Sequence, residues 1–175
     1  MTTMKRPFRL AMALMATAIS FGFAGESASA ADVTIKHAKG EATFSEVPKK
    51  VLTFDLAALD TLTALGIEVS GVPAGNKPAY LSKYAGENVA KIGTFFEPDY
   101  EAVNAAEPDL IIVAGRSSAK FDDLAKIAPT IDLTVGAEQF LPQAQENVRT
   151  LGKIFGKEKE AEALLEMLAS STADL

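Results

Sequence analysis

Hydrophobic and polar positions alternate along residues 32–44, DVTIKHAKGEATF, on either side of a Lys39-Gly40 step. That is the period of half-buried strands and predicts a hairpin. Residues 50–54, KVLTF, form a short β-rich run, the pattern of a buried strand. The period then changes: in residues 55–67, Leu56, Leu59, Leu62 and Leu65 fall on one helical stripe, which Gly66 ends. Further strands are predicted over 68–74, 110–114 and 130–135, and helices over 99–106, stopped by Pro108, and 118–127. This β-α-β-α order predicts an α/β fold, a mostly parallel sheet flanked by helices. The pattern closes with two helices, 142–156 and 157–175; in the second, Ala161, Leu164, Leu165 and Leu168 sit at i, i+3, i+4 and i+7.

The first thirty residues break the alternation. Lys5, Arg6 and Arg9 precede an apolar run from Leu10 to about Ala24, and Ala28-Ser29-Ala30 supplies the small residues of a cleavage site. Residues 1–30 are therefore expected to be a secretory signal. An apolar run of roughly 15 residues is short for a membrane span, which needs about 20. The chain has no cysteine, which predicts a protein without disulfides and without a lipid-bearing residue: periplasmic, not a lipoprotein. Removing the signal, with Lys5, Arg6, Arg9 and Glu26, takes the formal charge from −6 to −8. Nucleic-acid binding, which needs a basic face, is disfavoured.

Against that acidic background a few cations stand out. Arg116 lies on a Gly-Arg-Ser-Ser turn after the strand 110–114, and ligands of open α/β sheets gather at the carboxyl ends of strands. It either faces a ligand or makes a surface ion pair with Asp122 or Asp123, which is worth about 0 to 1 kcal/mol. Lys120, one helical turn on, is a candidate second cation. Asn76 and Lys77 follow the strand 68–74 and are placed to face the same region. Tyr80 and Tyr84 either offer flat amphipathic contacts to a ligand or pack their loop onto the domain, Tyr84 being the candidate ligand contact of the two, and Phe95 and Phe96 are open to both roles too.

Other chemistries find less support. His37 is the one histidine, and transition-metal sites need three or four converging ligands, so no metal site and no intrinsic cofactor are expected. Gly115-Arg116-Ser117-Ser118-Ala119 has part of a G-x-S-x-G nucleophile elbow, but Ala119 replaces the last glycine and the histidine precedes the serine. No enzyme is expected. Neither a dinucleotide fingerprint nor a phosphate loop is present.

Taken in order, TIKHAKGEATFSEVPKKVLTFDLAALDTLTALGI, NKPAYLSKY, KIGTFFEPDYEAVNAAEPDLIIVAGRSSAKFDDLAKIAPTIDL and LGKIFGKEKEAEALL resemble the periplasmic iron-siderophore binding proteins of ABC importers, catecholate type in particular. The resemblance implies two α/β lobes joined by one long helix, with an anionic ferric siderophore between them. On that reading residues 31–156 are the amino-terminal lobe, residues 157–175 begin the joining helix, and the second lobe lies outside this chain. It also implies that Arg116 meets the ligand, and that Glu101, with Glu97 behind it, docks on the transmembrane permease; a glutamate in a first helical turn is also ordinary dipole chemistry. Two alternatives stay open: a cobalamin- or haem-binding relative of the same architecture, and a truncated remnant that binds nothing.

Overall fold

The computed structural model describes residues 32–173. The expected secretory signal at 1–30 lies outside them. The chain runs β1 (Val33–His37), β2 (Gly40–Phe44), β3 (Val51–Thr53), α1 (Leu56–Ala64), β4 (Gly71–Val72), β5 (Ala90–Lys91), α2 (Tyr100–Ala105), β6 (Leu110–Val113), α3 (Phe121–Leu124), β7 (Thr130–Asp132), α4 (Phe140–Ile154) and α5 (Glu158–Ala173). Short 3₁₀ turns occupy Ala79–Ala85, Gly115–Lys120 and Ala137–Gln139.

Strands β3 to β7 form one parallel sheet in the order β5-β4-β3-β6-β7, and β1 and β2 pair antiparallel as the predicted hairpin. Alternation within the strands divides the core. Val51, Leu110 and Ile112 point to one face, where α1, α4, α5 and the hairpin supply Leu59, Leu62, Leu151, Ala161 and Phe44. Leu52, Ile111 and Val113 point to the other, against Val103 of α2 and Leu124 of α3. A parallel sheet needs both faces covered, and here they are. The α/β architecture expected from the sequence is the one observed.

Helix α1 begins where Asp55 accepts the Ala58 backbone N–H at 2.8 Å, a side-chain N-cap directly after β3. Helices α4 and α5 approach closely at Gly152, where an added Cβ would stand 2.6 Å from the Ala161 Cβ. The apolar stripe expected on the last helix is used unevenly. Ala161 and Leu165 join the core, while Leu168 is 53% exposed.

Three local expectations change. The helix expected over 118–127 is a 3₁₀ turn followed by the single turn of α3, because Ser117 and Ser118 bond away from the helix axis. Strand β4 is two residues long, shorter than the 68–74 run. Strand β5 and the 3₁₀ turn over Ala79–Ala85 replace what was read as loop.

Candidate functional site

The sheet reverses its building direction between β3 and β6. From β3 the chain adds β4 and β5 on one side, then crosses to lay β6 and β7 on the other. Loops leaving the carboxyl ends of β3 and β6 therefore diverge and open a crevice, where ligands of such sheets bind. A groove of about 350 Å³ lies there, lined by Asp55, Thr61, Gly115, Thr134, Asn147 and Phe140 among others.

Arg116 stands next to that groove, on the turn after β6. The preceding residue, Gly115, has φ +46°, a left-handed conformation that glycine adopts without strain. Arg116 itself is exposed, and its guanidinium carbon lies 5.2 Å from the centroid of the Phe95 ring. No carboxylate among the described residues lies within ion-pair distance of it. Asp123, one of the two partners considered from the sequence, pairs with Lys126 at 2.7 Å instead. A cation stacked on a ring keeps its edge donors free.

The turn carrying Phe95 is built for display. Thr94 N donates to Glu97 O at 2.8 Å, Glu97 N returns to Thr94 Oγ1 at 3.0 Å, and Gly93 bridges Pro98. Phe95 is thereby set half-buried beneath Arg116, and Phe96 is left 57% exposed. Lys120 reaches the same turn, its Nζ 3.2 Å from the Glu97 carboxylate. Two of the sequence candidates, Lys120 and Glu97, thus pair with each other at this turn.

The loop after β4 joins this rim through its backbone, Ala74 N donating to Gly93 O at 2.8 Å. Asn76 is exposed on it. Lys77 folds back, donating from Nζ to Pro73 O at 2.8 Å and Gly75 O at 3.3 Å. Partial burial, with nearby Lys91 adding repulsion, holds its ammonium below the usual lysine range.

Tyr84 is a correction. It is 1% exposed and sits in the core, its hydroxyl accepting from Thr63 Oγ1 at 3.1 Å, so no ligand on this rim touches it. Tyr80, on the outer side of the same 3₁₀ turn, is 66% exposed. Spacing alone does not say which tyrosine faces inward; burial of the larger apolar contact with α1 decides it. Glu101 is exposed in the first turn of α2, behind the N-cap Asp99.

Sequence reasoning missed what lies beneath Arg116. Ser117 is fully buried; its Oγ donates to Ala114 O at 3.0 Å and Phe54 O at 3.3 Å, tying the turn of β6 to the end of β3. Asp132 is 1% exposed and accepts from Ser118 Oγ, from Thr134 N at 2.9 Å and from Thr134 Oγ1 at 2.5 Å. Its backbone N–H donates to His37 Nδ1 at 3.3 Å, and Lys39 N donates to the same nitrogen at 3.2 Å. His37 is thus neutral with its proton on Nε2, and burial, opposed by the nearby Asp132 carboxylate, holds it below the ordinary histidine value. Among the described residues, no three His, Cys, Asp or Glu side chains converge as a metal site.

Known proteins share this fold over the matched length. The petrobactin-binding protein YclQ of Bacillus subtilis is 37% identical over 155 residues, 86% of this chain and 49% of that protein. Its crystal structure superposes with a TM-score of 0.78 over 82% of this chain and 52% of that one. The periplasmic catecholate-siderophore binding protein VctP of Vibrio cholerae gives a TM-score of 0.76 at 37% identity, over 79% of this chain and 50% of that one. A putative ABC transporter substrate-binding lipoprotein of Bacillus subtilis, YhfQ, is 32% identical over 89% of this chain and 50% of its own length. The chain spans about half the length of the curated relatives it matches. The family described as periplasmic binding protein matches residues 51–175, from the first strand of the parallel sheet onward. By that match and by identity to its members, the chain belongs to the periplasmic binding protein family.

Proposed function

We propose that this chain is the amino-terminal ligand-binding lobe of a solute-binding component of an ABC importer, that it takes an anionic ferric catecholate, and that it works by binding, without catalysis. The observation that carries the reading is Arg116: an exposed guanidinium at the switch point of the sheet, stacked on Phe95 and without a carboxylate partner among the described residues. A tris-catecholate complex of Fe(III) presents negatively charged oxygens around an aromatic periphery. Guanidinium donors suit the first and the exposed rings of Phe96 and Tyr80 suit the second. The names of YclQ and VctP, which refer to petrobactin and to catecholate siderophores, support this ligand class.

Binding in preference to catalysis is supported by Ser117. A nucleophilic serine needs an exposed hydroxyl with a base beside it; this one is fully buried and spent on carbonyl oxygens. Lys120 is the second cation of the reading, held near the site by Glu97 and able to exchange that exposed partner for a ligand oxygen at little cost. Asn76 is the neutral donor on the opposite rim. Glu101, exposed and away from the rim bonds, is the docking residue for a transmembrane permease, where rim charges set encounter and orientation more than affinity. On this reading the segment 1–30 is a secretory signal and the chain works in the periplasm.

The test is a titration of the full chain with the tris(2,3-dihydroxybenzoate) complex of Fe(III), read by quenching of tyrosine fluorescence. Loss of a charged hydrogen-bonding partner is expected to weaken binding of Arg116→Ala by about tenfold to a hundredfold. Equal curves for the natural chain and Arg116→Ala would remove Arg116 from the site.

A further inference from the structure

Three residues of the Arg116 turn, Gly115, Ser117 and Ser118, are held by hydrogen bonds, and two of these lead to one buried carboxylate. Thr134 Oγ1 accepts the Gly115 N–H at 2.8 Å and donates its own proton to Asp132 Oδ1 at 2.5 Å. Thr134 N donates to the same Oδ1 at 2.9 Å, so the hydroxyl is held by its own backbone. On the other side of the turn, Ser118 Oγ donates to Asp132 Oδ2. The two oxygens of Asp132 thus grip the turn immediately before and two residues after Arg116.

From this we infer that Asp132 is the positioning residue of the binding site: it acts through Gly115 and Ser118 to hold the Arg116 guanidinium over Phe95, pointed at the ligand. The inference rests on the reading of Arg116 as the ligand cation. Two physical arguments select Asp132 over its neighbours. A carboxylate at 1% exposure is costly unless its lone pairs are filled, and here three donors fill them, all from the turn or from the residue that holds the turn. Ordering a loop and its side chains on binding also costs free energy; a turn fixed on both sides of Arg116, with the guanidinium already on Phe95, removes part of that cost before the ligand arrives. Ser117 anchors the turn as well, but its bonds run to Phe54 O and Ala114 O and secure the join of β3 to β6.

The experiment is a double-mutant cycle in the full chain: natural, Arg116→Ala, Asp132→Ala and the double variant, each titrated with tris(2,3-dihydroxybenzoate)iron(III) and each melted thermally. Asp132→Ala alone is expected to weaken binding about tenfold, as loss of a supporting partner commonly does. Added to Arg116→Ala it should weaken binding no further, while it lowers the melting temperature equally in both backgrounds. Asp132→Asn should restore binding, since its Oδ1 still accepts from Thr134 and its amide donates to Ser118 Oγ. Equal weakening in both backgrounds, or none in the natural one, would overturn the inference while leaving the role of Arg116 standing. A silent Arg116→Ala would instead overturn the functional reading beneath it. Should Asp132→Ala fail to fold, Ser118→Ala runs the same cycle with one of the two grips removed, and the same outcomes decide.

Discussion

Asp109 and Asp132 mark opposite ends of one parallel sheet, and they serve it differently. At the amino end, exposed Asp109 accepts the backbone N–H groups of Lys49 and Lys50 at 2.9 and 2.8 Å and so fixes where β3 begins beside β6. At the carboxyl end, Asp132 is buried and accepts from side-chain hydroxyls that shape a turn. Water can replace Asp109 on its donors; Asp132 is 1% exposed, and water has little access to take its place. The amino end therefore needs only to be closed, whereas the carboxyl end is held around an exposed cation, as the proposed binding surface requires.

The largest effect expected from disturbing this contrast is at Ser117. Replacing it with alanine leaves the buried Ala114 N–H without its 3.1 Å acceptor and Phe54 O without a donor at 3.3 Å. A stability loss of about 1–3 kcal/mol should appear in urea denaturation. Binding of the ferric catecholate should weaken alongside, since the Arg116 turn loses its tie to β3. Asp109→Ala is the counterpart: a stability loss of at most about 1 kcal/mol, because its donors are exposed, and an unchanged ligand titration. A ligand effect at Asp109 as large as that at Ser117 would erase the distinction between the two ends.

The elements of this molecule were legible to different degrees for physical reasons. Helix α1 carries a leucine stripe of helical period, and strand β6 is an apolar run bounded by turn residues and too short for a helix, so both were readable locally. Strand β5 has two residues and hence no period to read. Arg116 stood out as a candidate because a permanent cation follows a strand in an acidic chain. Tyr84 was misassigned because its side of the 3₁₀ turn depends on packing against α1, which lies outside any local pattern. Asp132 left little signal: within TIDLT it reads as one polar position in a strand, and although Thr134 lies only two residues on, Ser118 reaches it only once β6 and β7 are paired.

The two ends should also separate by pH, and the smaller effect is the more telling. Backbone hydrogen bonds from Lys50 and Lys49 hold Asp109 below its ordinary 3.8, so its contribution is full above that pH and is lost as pH falls through the lower folded value. His37 reports the other end. Its Nδ1 accepts from Asp132 N and Lys39 N, and a proton there would cancel both bonds. Burial lowers its folded value below 6.5, so as pH drops the unfolded chain takes up the proton first. Stability is then full above 6.5, declines as pH falls through the folded value, and is flat below it. His37→Gln keeps an acceptor but cannot titrate; it should flatten the slope of unfolding free energy just below pH 6.5 and leave the acid loss near Asp109 untouched. Urea midpoints measured at intervals from pH 7.5 to about 3 check it. An unchanged slope in His37→Gln would mean that the hairpin does not report on Asp132, and that the carboxyl end owes its rigidity to Ser117 and Thr134 alone.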